Sequence, residues 1–335
     1  MGKDGSFKTI DSLMRHLRNN HAISIGGSTQ KRNLKNIGYF HGFKGYRYII
    51  TPRNKIPFNN FNEVMALNRF DMNLKSLFYS QIMFIETALK NYAAEIVMCE
   101  CNSSSFNDIY NKLLTAYKAY PSNSDAYKQL YLLRCKVRDD THSMLSFNYS
   151  KNTASVRHYY NSDRPVPIWA IFEVISMGKF GNFIKALNIS TKQKIVDKLS
   201  LNPCNCKIKS KNRLIVDVVF ALNSLRNAIA HNHVIFDVSR FSEPKNIRGD
   251  FKYCISQNTG VDDVTFESIL DYLVLIVYLL KGLRISKTEL NRIIREFEKC
   301  IEAFRADFQL NEYNYIVRTN TRTKLAQLKA FVKNS

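Results

Sequence analysis

The chain has 335 residues, 45% of them hydrophobic and 23% charged, ordinary globular values that exclude wholesale disorder, collagen-like repeats and a coiled coil. Its 49 Lys and Arg against 28 Asp and Glu leave a formal net charge of +21, which points to a polyanionic partner, nucleic acid first. No apolar run approaches the roughly 20 residues of a membrane span, and MGKDGSFKTIDSL at the N-terminus carries no apolar signal core, so a cytoplasmic protein without membrane contact is expected.

In chain order, Phe7, Ile10, Leu13, Met14 and Leu17 recur at helical intervals over residues 7–20, and Gly26–Gly27 break that helix. The stretch from Asn33 to Pro57 is aromatic and punctuated by glycine, which predicts turns and one short hairpin or wing. Between Ser12 and Asn62 there is no acid. Lys31, Arg32, Lys35, Lys44, Arg47 and Arg53 interleave there with Tyr39 and Tyr46, a mixture of phosphate neutralisers and stacking rings expected to bind RNA. A small basic RNA-binding module over residues 1–60, followed by a helical domain over 61–335, is the predicted organisation.

From Asn62 to Met98 apolar residues hold a 3.6-residue period without Gly or Pro, predicting one long helix. A second helical stretch, Ile109–Val137, is interrupted around Pro121–Ser124. Residues 139–163, rich in Asp, Ser, Asn and Tyr, read as a long loop. Pro165 and Pro167 introduce a helix through Met177 that stops at Gly178 and resumes after Gly181, and a short helix follows over Thr191–Leu199. The acid-free stretch Lys198–Arg213 adds Lys207, Lys209 and Lys211 as candidate RNA contacts. Helices are then expected over Arg213–His231, Val264–Leu283 and Lys287–Phe308, the last opened by Ser286 with Glu289 in a capping box. A third basic stretch runs from Tyr313 to the end. The fold class is all-α, with a small mixed N-terminal module.

Seven cysteines in two C-x-C pairs and three single positions make neither a disulfide framework nor a zinc-finger spacing, and no metal or other cofactor is expected. GxxxxGK[ST], HExxH, GxSxG and GxGxxG are all missing, which removes nucleotide hydrolysis, zinc proteolysis, nucleophile-elbow and dinucleotide chemistry from consideration.

What remains is SLRNAIAHNHVIF, residues 224–236, at the end of an amphipathic helix. Five positions separate Arg226 from His231, about 7.5 Å along the axis and about 140° around it, so the pair flanks one edge of the helix. Asn227, four before His231, shares its face. Histidine moves protons near neutral pH and arginine offers a planar cation to a phosphorane. Together they suit metal-free phosphodiester cleavage in which the RNA 2′-hydroxyl attacks, leaving a 2′,3′-cyclic phosphate and a 5′-hydroxyl. The same spacing also suits a helix-end histidine and an arginine paired to a carboxylate, and His233 is a rival base.

RNAIAHN resembles the R-N-x-x-A-H-N signature of HEPN ribonucleases. NLKNIGYFHGFKGYRY (33–48) is similar to the N-terminal segment of the Abi-like (AbiD/AbiF-type) abortive-infection proteins, with Phe40 and His41 in place of the usual Tyr and Arg. RFDMNLKSLFYSQIMFIETALKNYAAEI (69–96) resembles their F-D-x-x-L and I-E-x-A-L-R blocks, with Lys90 where Arg is usual. PVPIWAIFEVISMGKFGNF (165–183) matches a further block through Pro167, Trp169, Glu173, Ser176 and Gly178.

The resemblance implies a HEPN-like helical domain, phage defence or toxin-like activity, a small non-coding RNA partner, kinship with the HEPN nucleases of type VI CRISPR effectors, and a homodimer whose paired sites form one cleft. By position, Arg226 would stabilise the transferring phosphate, Asn227 orient it and His231 move the proton. Glu86 would either hold Arg226 or His231 or be an exposed helix carboxylate, and Lys90 would stand in a structural pairing usually made by Arg. Trp169 and Glu173 are expected to be packing residues.

The leading reading is a phage-defence endoribonuclease controlled by a bound small RNA. The alternative is a non-catalytic RNA-binding subunit of a small-RNA ribonucleoprotein. A third reading, a dimerisation module neutralised by a nucleotidyltransferase, fits the basic N-terminal third less well.

Overall fold

The computed structural model describes residues 9–308 and 310–334. Within them the fold is all-α, 15 α-helices joined by short 3₁₀ turns, and β pairing is confined to isolated bridges. Helix α1 (Ile10–His21) starts where the Thr9 hydroxyl accepts from the Ser12 N–H, and it buries Met14 and Leu17. Residues 7 and 8 of the expected helix lie outside the described residues.

The first helix ends before the Gly-Gly pair, at the left-handed Ala22, and a non-helical stretch over 22–26 leads to the second helix, which Gly26 caps. Gly27, at φ 71°, begins α2 (Gly27–Ile37), which runs into a π-type turn over Gly38–Lys44. Of the expected run of turns, residues 33–44 are helical, whereas 45–57 hold turns and, at the expected hairpin, one antiparallel bridge, Tyr48–Lys55. Tyr39, Phe43 and Tyr46 explain the difference. Tyr39 and Phe43, four apart in the π-type turn, and Tyr46 in the turn after it are all buried, and packing these rings holds the segment together.

Helix α3 (Phe61–Cys101) is the predicted long helix, 41 residues without a break. Its start is a capping box: the Asn60 side chain accepts from the Glu63 N–H, and the Glu63 carboxylate accepts from the Asn60 and Asn59 N–H groups. Helix α4 (Phe106–Lys112) and a 3₁₀ turn (Ala116–Ala119) lead to α5 (Asp125–Ser150). The long loop expected over 139–163 is instead the end of α5 followed by α6 (Ala154–Tyr160). Val137, Thr141, Met144 and Leu145 on α5 and Val156 on α6 are buried, so burial of one apolar edge overrides a polar composition.

Helix α7 (Ile168–Val174) ends at Ile175, and Ser176 caps α8 (Met177–Ala186) by accepting from the Lys179 N–H. The break thus lies before Gly178, and both Gly178 and Gly181 sit inside α8. Gly181 serves close packing. A Cβ there would stand 3.0 Å from the Phe220 ring and 3.2 Å from Val219. Next come α9 (Ile189–Lys198) and α10 (Leu214–Ala230), which carries Phe220 and packs on α8.

The remaining helices are α11 (Gly249–Thr259), α12 (Ile269–Gly282), α13 (Lys287–Asp307), α14 (Leu310–Val317) and α15 (Thr321–Lys333). Every residue of α12 from Ile269 to Leu280 is buried, as expected for a helix apolar all round. Helix α3 packs against α7, α9, α10, α12 and α13, so it is the spine on which both the site and the C-terminal helices are mounted. The basic C-terminal stretch is partly structural: Lys324 on α15 is buried and pairs with the buried Asp271 at 2.8 Å.

Candidate active site and basic surface

Arg226 and Asn227 lie on the last turns of α10, and His231 is its C-cap residue, with φ −94° and ψ 10°. The chain then reverses through Asn232, whose φ of 55° is left-handed. The His233 N–H donates to the Ala228 carbonyl at 2.8 Å and the Asn232 N–H to Ile229 at 3.1 Å, the paired bonds of a Schellman ending. His231 and His233 are both exposed, with ring centroids 6.0 Å apart.

This ending is anchored from α3. Lys75 Nζ, buried, donates to Asn232 Oδ1 at 2.8 Å and pairs with the fully buried Asp71 at 2.7 Å. The Asp71 carboxylate accepts from the Ile235 and Phe236 N–H groups at 2.8 and 3.1 Å and from the Tyr46 hydroxyl at 3.3 Å. A buried carboxylate satisfied by a lysine, two backbone amides and a phenol fixes the chain leaving the motif. Burial and the neighbouring Asp71 charge push the Tyr46 phenol well above its ordinary range, so it stays a neutral donor. Asp71, Lys75 and Asn232 as supports are absent from the sequence reading. The adjacency of Asn232 to His231 is the one signal that points to them, since asparagine tolerates the left-handed region.

Arg226 is held differently. Its Nη1 donates to Asn227 Oδ1 at 3.3 Å, and its Nε lies 3.9 Å from Glu86 Oε2. Glu86 is buried, which removes the reading of an exposed helix carboxylate. Its other oxygen accepts from Lys90 at 2.7 Å, and Lys90 also donates to the Ile175 carbonyl at 2.7 Å, closing the end of α7. The lysine therefore makes one ion pair and one carbonyl contact from a single ammonium, where a guanidinium would present a planar fork.

The N-terminal segment is tied to the chain just after the histidines. Asp237 Oδ2 accepts from the Ile50 N–H at 2.9 Å, and Arg240 donates to the Tyr48 carbonyl at 2.8 Å. Between these two segments lies a groove of about 510 Å³ lined by Phe40, His41, Asn68, Met72, Asn232 and His233. Of the proposed RNA contacts, Arg32, Lys35, Arg53, Lys207 and Lys209 are exposed, and Lys44, Arg47 and Lys211 are half-buried. Lys31 is half-buried and paired with Asp11 at 2.7 Å. Tyr39 and Tyr46 are buried and serve packing in this structure, whereas Phe40 is exposed with Lys44 4.9 Å from its ring centre. Trp169 and Glu173, expected to pack, are both exposed.

No helix of the described residues is long and apolar enough to cross a membrane. No curated protein and no solved structure matches the chain. The profile of the Abi-like protein family matches residues 32–237, more than half of the chain. The matched stretch begins in α2 and ends at Asp237, so it takes in Asp71, Glu86, Lys90, Arg226 and His231 together with the N-terminal segment docked on them. That match supports a part in abortive-infection phage defence, and by it the chain belongs to the Abi-like protein family.

Proposed function

We propose that this protein is a metal-independent endoribonuclease of phage defence, with Arg226, Asn227 and His231 as its catalytic residues. The observation that carries the reading is the end of α10. An exposed imidazole follows a guanidinium that faces buried Glu86 at 3.9 Å, and the helix ending that carries the imidazole is pinned from α3 by Lys75 and Asp71. A rigid mount for an exposed, titratable ring serves chemistry at the surface better than it serves stability.

His231 takes the proton of the RNA 2′-hydroxyl as that oxygen attacks the adjacent phosphorus, and Arg226 neutralises the charge gathering on the phosphoryl oxygens. The 5′-oxygen leaves with a proton, giving 2′,3′-cyclic phosphate and 5′-hydroxyl ends. One imidazole as base and a second as acid suit this sequence. Two copies of the chain facing each other supply both, and His233, 6.0 Å from His231, is the intramolecular candidate for the second. The basic surface of residues 31–53 and 207–211 would hold substrate RNA or a regulatory small RNA.

The deciding experiment incubates wild-type protein and His231→Ala with labelled RNA in EDTA. Cyclic-phosphate ends from wild type alone support the nuclease. RNA bound tightly by both and cut by neither replaces it with a non-catalytic RNA-binding subunit.

A further inference from the structure

The single tryptophan of this chain lies 45% exposed at the start of α7. An exposed indole on a rigid helix needs an explanation, because tryptophan is highly buried on average. It does not stand alone. The Tyr159 ring lies 5.8 Å from the Trp169 ring and the His158 ring 5.1 Å from Tyr159. The Arg164 guanidinium sits 5.4 Å from the Tyr159 ring centre while its Nη2 donates to His158 Nε2 at 2.9 Å. On the neighbouring end of α5, exposed Tyr149 packs edge-on to exposed Tyr160 at 5.2 Å.

The charge around these rings is positive by a small margin: over residues 149–173 the cations are Lys151, Arg157 and Arg164 and the acids are Asp163 and Glu173. Exposed π-faces interleaved with cations are complementary to a strand that offers bases and phosphates together. Protein interfaces share the enrichment in tyrosine, tryptophan and arginine, so self-association is the rival that the oligomeric state distinguishes.

Resting on the reading above that the ligand is RNA, we infer that the surface formed by α6, the start of α7 and the end of α5 is a stacking platform for single-stranded RNA. Bases stack on Trp169 and the neighbouring tyrosines, and Arg157 and Arg164 meet the backbone. Glu173, one turn beyond Trp169, bounds the platform. Its position gives it a purpose: α7, about 10 Å long, ends at Ile175, the residue held by Lys90 beside Glu86. The platform and Arg226 are thus fixed to one another through a single short helix, and a strand gripped at one is positioned at the other.

The test uses full-length protein and a 2′-O-methyl oligouridylate, which cannot be cleaved. Binding is followed by anisotropy of a label on the oligonucleotide and, in parallel, by Trp169 emission. Quenching that saturates with the anisotropy, an affinity loss of about tenfold for Trp169→Ala, near-complete recovery in Trp169→Tyr and a several-fold loss for Arg164→Glu support the platform. Binding with unchanged Trp169 emission overturns it and leaves the nuclease reading intact. If Trp169→Ala instead converts a dimer to a monomer in sedimentation with unchanged RNA affinity, the rings belong to a self-association surface and the inference fails. Absence of binding by any RNA removes both the platform and the reading on which it rests.

Discussion

Glu86 Oε2 and Arg226 Nε face each other across 3.9 Å, each buried and each without a hydrogen bond. The other Glu86 oxygen is fully engaged by Lys90, so one buried carboxylate answers two cations. Unsatisfied buried atoms on charged groups are costly. A displacement of about 1 Å brings this pair into hydrogen-bonding range, so the arginine can tighten onto Glu86 as its outer nitrogens take up a phosphate.

Glu86→Gln removes the counter-charge of a largely buried lysine while keeping the shape. A stability loss of about 3 kcal/mol is expected, read as a shift of the urea midpoint at unchanged slope. The double variant Glu86→Gln with Lys90→Met removes the stranded charge and recovers most of that loss, while RNA cleavage stays low because Arg226 still lacks its anchor. Equal instability of single and double variants would show that Lys90 gains nothing from Glu86.

Asn232 tests the mount of the imidazole. Alanine and glycine both lose the acceptor for Lys75, but alanine must also adopt φ near 55°, a region that disfavours a Cβ. Asn232→Ala is therefore expected to be about 1 kcal/mol less stable than Asn232→Gly. Thermal unfolding checks the order, and a cleavage assay checks that both slow the reaction through a misplaced His231.

Much of this was legible in the chain. The 3.6-residue period over Asn62–Met98 and the S-x-x-E start at Ser286 predict α3 and α13 because both signals act within one helix. The Arg226–His231 pair is local for the same reason. What the sequence conceals is long-range. Asp71 meets the Ile235 amide across 164 positions and Lys75 meets Asn232 across 157, and nothing in local composition marks these pairings. The helices of residues 139–163 are hidden because their polar faces outweigh a narrow buried edge, and the exposure of Trp169 is hidden because hydrophobicity does not distinguish a core ring from a surface one.

His21 provides a pH dependence. Burial, and after it Arg47, His16, Lys44 and Lys55, push its imidazole down to about 4 from an ordinary value of 6.5. The unfolded chain binds the proton more readily than the folded one between those values, so stability is complete above about pH 6.5 and declines as the pH falls toward 4. Hydrogen exchange of the α1 amides is expected to accelerate relative to the α12 amides between pH 7 and pH 5. His21→Leu flattens that difference. RNA added to the wild type restores protection, because phosphates near Arg47 and Lys44 offset the cations that oppose protonation.

The basic N-terminal surface yields to charge reversal. Lys44 lies over the exposed Phe40 ring at 4.9 Å and Arg47 over Tyr48 at 5.1 Å, so both cations are held outside the buried rings of the segment, where a backbone phosphate can reach them. Each phosphate contact to a single strand contributes about 0.7 to the slope of log affinity against log salt. Lys44→Glu with Arg47→Glu is expected to weaken RNA binding by one to two orders of magnitude near 0.1 M salt and to lower that slope by roughly 1.4. Arg32→Ala alone should lower it by about 0.7 if its exposed head meets one phosphate. Both are measured by anisotropy titrations at four salt concentrations. A slope unchanged by the double reversal, with affinity intact, would move the RNA path off this segment and onto the cations of residues 207–211.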